Sequence, residues 1–158
     1  MARNRTADAV ITFLATGAYV GFSPVMPGTI GTLWGILIAY LTRGAGPYIQ
    51  AALIIVVFIA SVYVSSRAVK IFRSPDPGSV VCDEVAGVLV AFFLIPFTAF
   101  NAILVFILFR FFDILKPPPI STIEKGFKGG LGVVLDDIAA GVLANIGVRI
   151  ILGLLTGI

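Results

Sequence analysis

The apolar runs of this chain have awkward lengths for a simple row of membrane-spanning helices, and carboxylates interrupt or border them. Apolar segments cover residues 7–22, 29–42, 49–65, 85–112 and 136–155, with polar connections between them. Only 12% of the residues are charged, about half the share usual in soluble proteins, and mean hydropathy is +1.10. A chain this apolar belongs in lipid, where backbone polar groups must find partners within the protein. The runs lack sustained alternation, so helices are expected and a closed barrel is not. The expected fold is all-α: a polytopic integral membrane helical bundle with short and re-entrant helices. Residues 1–158 are expected to form a single membrane-embedded domain.

A full span needs roughly 20 residues. Segment 29–42 would cover only about 21 Å at helical rise. Segment 85–112 is too long for one untilted span and contains Pro96, which removes a backbone donor and disfavours helix just before it. One kinked helix is an alternative, but a helical hairpin turning near Pro96, Phe97 and Thr98 fits the charges better. Arg67, Lys70 and Arg73 precede this segment; Arg110, Lys116, Lys125 and Lys128 end or follow it. Positive connections favour the cytoplasmic side, and both reach it only if the segment goes in and comes back. The basic N-terminus, with Arg3 and Arg5, is expected to anchor a retained helix rather than to form a cleaved signal.

Composition excludes several chemistries. There is no histidine, so a His-based zinc site, a Ser-His dyad and a phosphohistidine are ruled out. Cys82 is the only cysteine, which excludes an internal disulfide and a thiolate cluster. It is followed by Asp83 and Glu84, whose charge opposes a thiolate, so a small packing residue is the simpler role. The net charge of +3 lies in short clusters, as expected for membrane orientation and anionic headgroups, with no nucleic-acid partner.

Five of the eight acidic residues, Asp83, Glu84, Asp113, Asp136 and Asp137, lie in or against apolar runs. Carboxylates there are costly unless they meet a cation, a partner or water. Four short motifs surround them. In GFSPVMPGTIGT, Gly28 permits a tight turn, and Thr29 can cap the next helix. Gly28, Thr29 and Thr32 then make a phosphate cradle, or simply a Pro/Gly turn into a helix. In CDEVAG, Asp83 can cap a helix, but Glu84 directly before an apolar run suits a hard cation. In RFFDILKPPP, Arg110, Asp113 and Lys116 fall in one helical column. That column is a surface ion-pair ladder, or Asp113 on a metal with Arg110 and Lys116 on phosphate oxygens. In KGGLGVVLDDIAAG, the glycines allow close approach to a ligand. A helix cap explains one of Asp136 and Asp137 but not two. Gly141, Ala140 and Ala144 offer a small-residue face for close helix packing.

Taken together the motifs resemble the phosphatidylglycerophosphatase A family over nearly the whole chain. The order is S-P-x-x-P-G-T-x-G-T at 23–32, D-E-x-x-G at 83–87, F-R-x-F-D-x-x-K-P-x-P-I at 109–120 and G-G-x-G-x-x-x-D-D-x-x-A-G at 129–141. Pro118 departs from the family, which more often carries tryptophan there; Asp113 and Lys116 are kept. The resemblance implies a magnesium-dependent lipid phosphatase on the cytoplasmic face of a bacterial inner membrane. Its substrate would be the phospholipid phosphatidylglycerophosphate and its product phosphatidylglycerol.

On this reading Asp83, Glu84, Asp113, Asp136 and Asp137 hold one or two magnesium ions, and a metal-activated water attacks the terminal phosphate monoester. Asp137 or Glu84 orients or deprotonates that water, and Asp113 sits on the metal. Lys116 and Arg110, with the 28–32 turn, offset phosphoryl charge. The alternative is a small cation or proton transporter with carboxylates near mid-bilayer. Short helices and Gly/Ala faces suit a homodimer.

Overall fold

The computed structural model describes residues 5–157, apart from the side chains of Glu124 and Lys125. Arg3 of the basic N-terminus therefore lies outside the described residues, as does the side chain of Lys125. Among the described residues seven α-helices follow one another: α1 (Arg5–Ala15), α2 (Pro27–Leu41), α3 (Pro47–Phe72), α4 (Cys82–Phe92), α5 (Ala99–Leu115), α6 (Ile120–Gly126) and α7 (Gly130–Thr156). A single 3-10 turn, Val20–Phe22, joins α1 to α2, and no strand occurs among the described residues. The all-α expectation holds.

Among the described residues, only α3 and α7, at 26 and 27 residues, are long and apolar enough to cross a membrane. Of their apolar stretches, 17% and 22% is buried inside the protein, unlike the core helix of a soluble domain. Large side chains such as Val56, Ile59, Ile107 and Ile150 point outward.

The short helix α4 is the centre of the structure, packed mainly against α7 and then α2 and α3. Its Val88, Leu89 and Phe92 share the main core with Val105 and Phe109 of α5 and Ala140, Ala144 and Val148 of α7. Small residues bring these helices together, as the Gly/Ala face predicted. A methyl on Gly141 would collide with the Gly87 carbonyl. One on Gly35 would lie 2.6 Å from Val88 Cβ.

Segment 85–112 is a hairpin, not one kinked helix. Helix α4 stops at Phe92, α5 starts at Ala99, and Leu94 between them is left-handed with φ 58°. The turn is longer than the three residues expected. Its backbone is satisfied by side chains from three helices. Asn145 Nδ2 donates to the carbonyls of Val90, Ala91 and Phe93 at 3.3, 2.9 and 2.9 Å. Arg149 reaches the same Phe93 carbonyl at 3.0 Å and also bonds Asn145 Oδ1 at 2.8 Å. Gln50 Oε1 accepts from the Leu94 N–H at 3.2 Å, and Asn101 donates to the Pro96 carbonyl at 2.8 Å. Thr98 caps α5 by accepting from Asn101 N–H at 3.1 Å.

Several boundaries differ from expectation. The first apolar run breaks after Ala15, where Gly17, Ala18 and Tyr19 all take positive φ. Helix α3 continues through residues 66–72, whose basic side chains ride on the helix rather than in a connection. The connection expected at 113–134 contains α6, and α7 begins at Gly130, six residues before Asp136.

Candidate metal centre

The hairpin returns the end of α5 to the start of α4, and α7 passes beside both. Helix α4 is pinned at that end. The Val81 N–H donates to the Ala15 carbonyl at 2.8 Å, and Ser61 Oγ donates to the Cys82 carbonyl at 2.8 Å. Cys82 Sγ lies 3.4 Å from Ser65 Oγ and packs beside a small core, in keeping with a packing role.

Asp83 and Glu84 stand in the first turn of α4, and Asp137 comes from α7. One carboxylate oxygen from each lies within 4.8 Å of the others. Asp83 and Asp137 are buried, at 6% and 5% exposure. No ion pair among the described residues involves any of the three. Glu84 Oε2 is buried with no hydrogen-bond partner, alone in this among the side-chain atoms of the described residues. Like charges crowded out of water repel, and a lone buried acceptor costs about 1–3 kcal/mol. Carboxylate oxygens of this kind are the ligands that hard divalent cations take.

Asp113 and Asp136 stand beside that trio, outside the set of oxygens within 4.8 Å of one another. Asp113 is ion-paired with Arg110, and Asp136 accepts from Lys116 Nζ at 2.7 Å. Of the five carboxylates expected around one or two ions, three thus stand together and two are ion-paired within the same cavity. The expected column of Arg110, Asp113 and Lys116 also breaks. Helix α5 ends at Leu115, and Lys116 turns left-handed at φ 43°, which takes its side chain across to α7. Asp83, Glu84, Asp113, Lys116, Asp136 and Asp137 nevertheless line one cavity of ≈ 150 Å³.

The motif at 23–32 contributes differently from its sequence reading. Met26, left-handed at φ 47°, occupies the N-cap position, and Pro27 starts α2. Thr29 is therefore the third helical residue rather than the cap. Gly28 has no positive φ and makes no tight turn; it makes room. A methyl there would collide with Glu84 Oε1 and lie 2.9 Å from Arg110 NH1. Thr32 is fully buried, its hydroxyl donating to the Gly28 carbonyl at 2.8 Å, so it is not placed to meet a phosphate. Neither threonine lines the cavity.

The other caps are corrected likewise. Val81 and Gly129 hold the N-cap positions of α4 and α7, so none of the motif aspartates caps a helix. Asp83 Oδ1 accepts from the next residue's N–H at 3.0 Å instead. Of the motif glycines, Gly130 fits against Ser66 and Gly132 against the Phe127 carbonyl, while Gly129 takes φ 71°. Gly130 and Gly132 thus let protein segments pack closely. Asp76, Pro77 and Gly78 also line the cavity and were missed; a lone acid between prolines reads as an ordinary loop.

Comparison with known proteins agrees with the family that these motifs resemble. A family model described as phosphatidylglycerophosphatase A matches residues 13–152. The Escherichia coli protein named phosphatidylglycerophosphatase A is 32% identical over 132 residues, covering 83% of this chain and 77% of that one. Its Haemophilus influenzae namesake is 34% identical over 138 residues, 86% of this chain and 85% of that one. A Bacteroides thetaiotaomicron protein named as a candidate phosphatidylinositol-3-phosphatase is 36% identical over 141 residues, 84% and 87% of the two chains. No solved structure matches the chain.

Proposed function

Because the chain belongs to the phosphatidylglycerophosphatase A family and is a phosphatase, we propose that it releases the terminal phosphate of phosphatidylglycerophosphate, with magnesium as cofactor. The observation that carries the metal is the trio Asp83, Glu84 and Asp137, with a buried, unpartnered oxygen on Glu84. These residues would hold the ion, which when bound supplies positive charge to phosphate oxygens and favours ionised water.

The protein's own groups do the rest. Arg110 and Lys116 bind phosphoryl oxygens, and Asp113 and Asp136, their partners in the free site, keep them aimed. Glu84, beside the ion, accepts a proton from the attacking water. The new bond is water oxygen to phosphorus. The bond that breaks is phosphorus to the glycerol oxygen, which leaves as the hydroxyl of phosphatidylglycerol after taking a proton. Gly28 acts by being small, so that Glu84 and Arg110 stand side by side.

The setting is a bilayer. Exposed apolar faces on α3 and α7 suit two spans, with the α4–α5 hairpin re-entering beside them. Lys70 and Arg73 end α3 at the acidic end of the bundle, and Lys116 lines the cavity there. That end is therefore assigned to the cytoplasmic face of a bacterial inner membrane. The transporter alternative finds no support among the relatives.

The test is phosphate release from phosphatidylglycerophosphate in vesicles, with magnesium and with a chelator. Release that stops with the chelator and returns with magnesium is expected. Release indifferent to the chelator overturns the cofactor, and no release from this lipid overturns the substrate. The Bacteroides relative makes a phosphorylated inositol lipid the second substrate to assay.

A further inference from the structure

Beside the acidic cavity lies a larger groove of ≈ 400 Å³. The two share Asp76, Val133 and Asp136 in their walls, so they are contiguous. The groove's far side is formed by Phe127, Lys128 and Gly129, just before α7. Lys128 is exposed, and Phe127 is 47% exposed, an unusual place for an aromatic ring unless it meets lipid or ligand. None of this is used by the chemistry assigned to the acidic trio. Lys128 entered the sequence reading only as an orienting charge.

The acidic cavity alone is too small for more than the phosphate being released and its immediate surroundings. The remaining headgroup must leave through a neighbouring opening, and the groove adjoins it at Asp76 and Asp136. We propose that this groove is the headgroup subsite, in which Lys128 binds the inner phosphodiester of the lipid. The inference rests on the phosphate-monoester reading above and extends it to the part of the substrate that is not cleaved. In a glycerol-linked headgroup, the phosphodiester lies one glycerol away from the monoester. Asp76, on the wall between the two spaces, faces that linker and accepts a hydrogen bond from its free hydroxyl. Lys128 supplies a compact ammonium to the phosphodiester. Phe127 borders the exit toward the acyl chains.

Binding in the groove is uniform between ground and transition states, so its loss raises KM and leaves kcat in place. Steady-state kinetics on phosphatidylglycerophosphate vesicles, with two soluble inhibitors, test this. Glycerophosphoglycerol carries the phosphodiester without the monoester; inorganic phosphate mimics the monoester alone. Lys128→Ala is expected to raise KM and the glycerophosphoglycerol inhibition constant by about tenfold, with phosphate inhibition and kcat unchanged. Lys128→Arg should restore most of the loss, and Asp76→Ala should weaken glycerophosphoglycerol by about threefold. Lys70→Ala, on the exposed last turn of α3 outside the groove, should change nothing. An unchanged KM in Lys128→Ala overturns the subsite. So does an equal rise in Lys70→Ala, which would mean a general surface-charge effect. A parallel loss of phosphate inhibition would move Lys128 to the monoester and also overturn it. Failure of the wild-type protein to release phosphate from this lipid would instead remove the substrate assignment on which the subsite rests.

Discussion

The two ends of α4 handle polar groups in opposite ways. At its C-terminal end, the carbonyls left over as the helix stops are met by Asn145 and Arg149, and the turn beyond is held by Gln50 and Asn101. At its N-terminal end, two carboxylates are buried against a third, with no ion pair to any of them among the described residues, and one oxygen has no partner. Both ends belong to one 11-residue helix in one core. Satisfied polar networks hold a backbone in one place, whereas unsatisfied ones persist where a ligand completes them. On the proposed function, the hairpin tip is thus the fixed end and the acidic cluster the working end. The glycine contacts between α4, α2 and α7 let the rigid end set the position of the other.

That contrast can be broken at its working end first. Asp137→Asn should lower phosphate release by about a hundred- to a thousandfold, the scale seen when one electrostatic stabiliser of a transition state is lost. Without metal, the same variant should melt no lower than the wild type, because it relieves repulsion among three carboxylates. A clear drop in its melting temperature in chelator would show that the trio stabilises the empty fold, contrary to the division drawn here.

Gly28→Ala should come next, with a loss of about ten- to a hundredfold in kcat, since an ångström-scale displacement of reacting groups costs that much. Its methyl displaces Glu84 and Arg110, not the core, so thermal melting in detergent should stay close to wild type. Full activity in this variant would mean that the Glu84–Arg110 spacing is unimportant.

The smallest effect on turnover belongs to the fixed end. Asn145→Ala strips donors from three carbonyls and should destabilise the protein by about 1–3 kcal/mol, read by thermal or denaturant melting. Activity per folded molecule should fall less than twofold or so, because no group at the acidic end is touched. A large loss of turnover at unchanged stability would erase the distinction between the two ends.

Much of the working end was legible in the amino-acid sequence. Asp83, Glu84 and Asp137 stand against apolar runs, where an ionised group has few excuses other than a ligand. The hairpin was legible too, from Pro96 and the placement of basic residues on either side. The subdivision of the acids was not. Whether Asp136 meets Lys116 depends on that lysine leaving the helix at a left-handed residue, a matter of one φ angle. Thr29 and Thr32 were misplaced because α2 starts at Pro27, which turns Thr32 inward. Asn145, Gln50 and Arg149 drew no notice, since an amide or a single arginine in a helix reads as ordinary until the carbonyls it meets are known.

The residue types and their spacing alone determined that the chain is helical, strongly apolar and acidic at a few costly positions, since these follow from transfer energies and backbone geometry that act locally. Only the tertiary structure decided which carboxylates crowd together, which are neutralised by a lysine or arginine, and which loop opens a groove beside them. Those outcomes depend on distances of a few ångströms between residues far apart in the chain, and local preferences do not specify such distances.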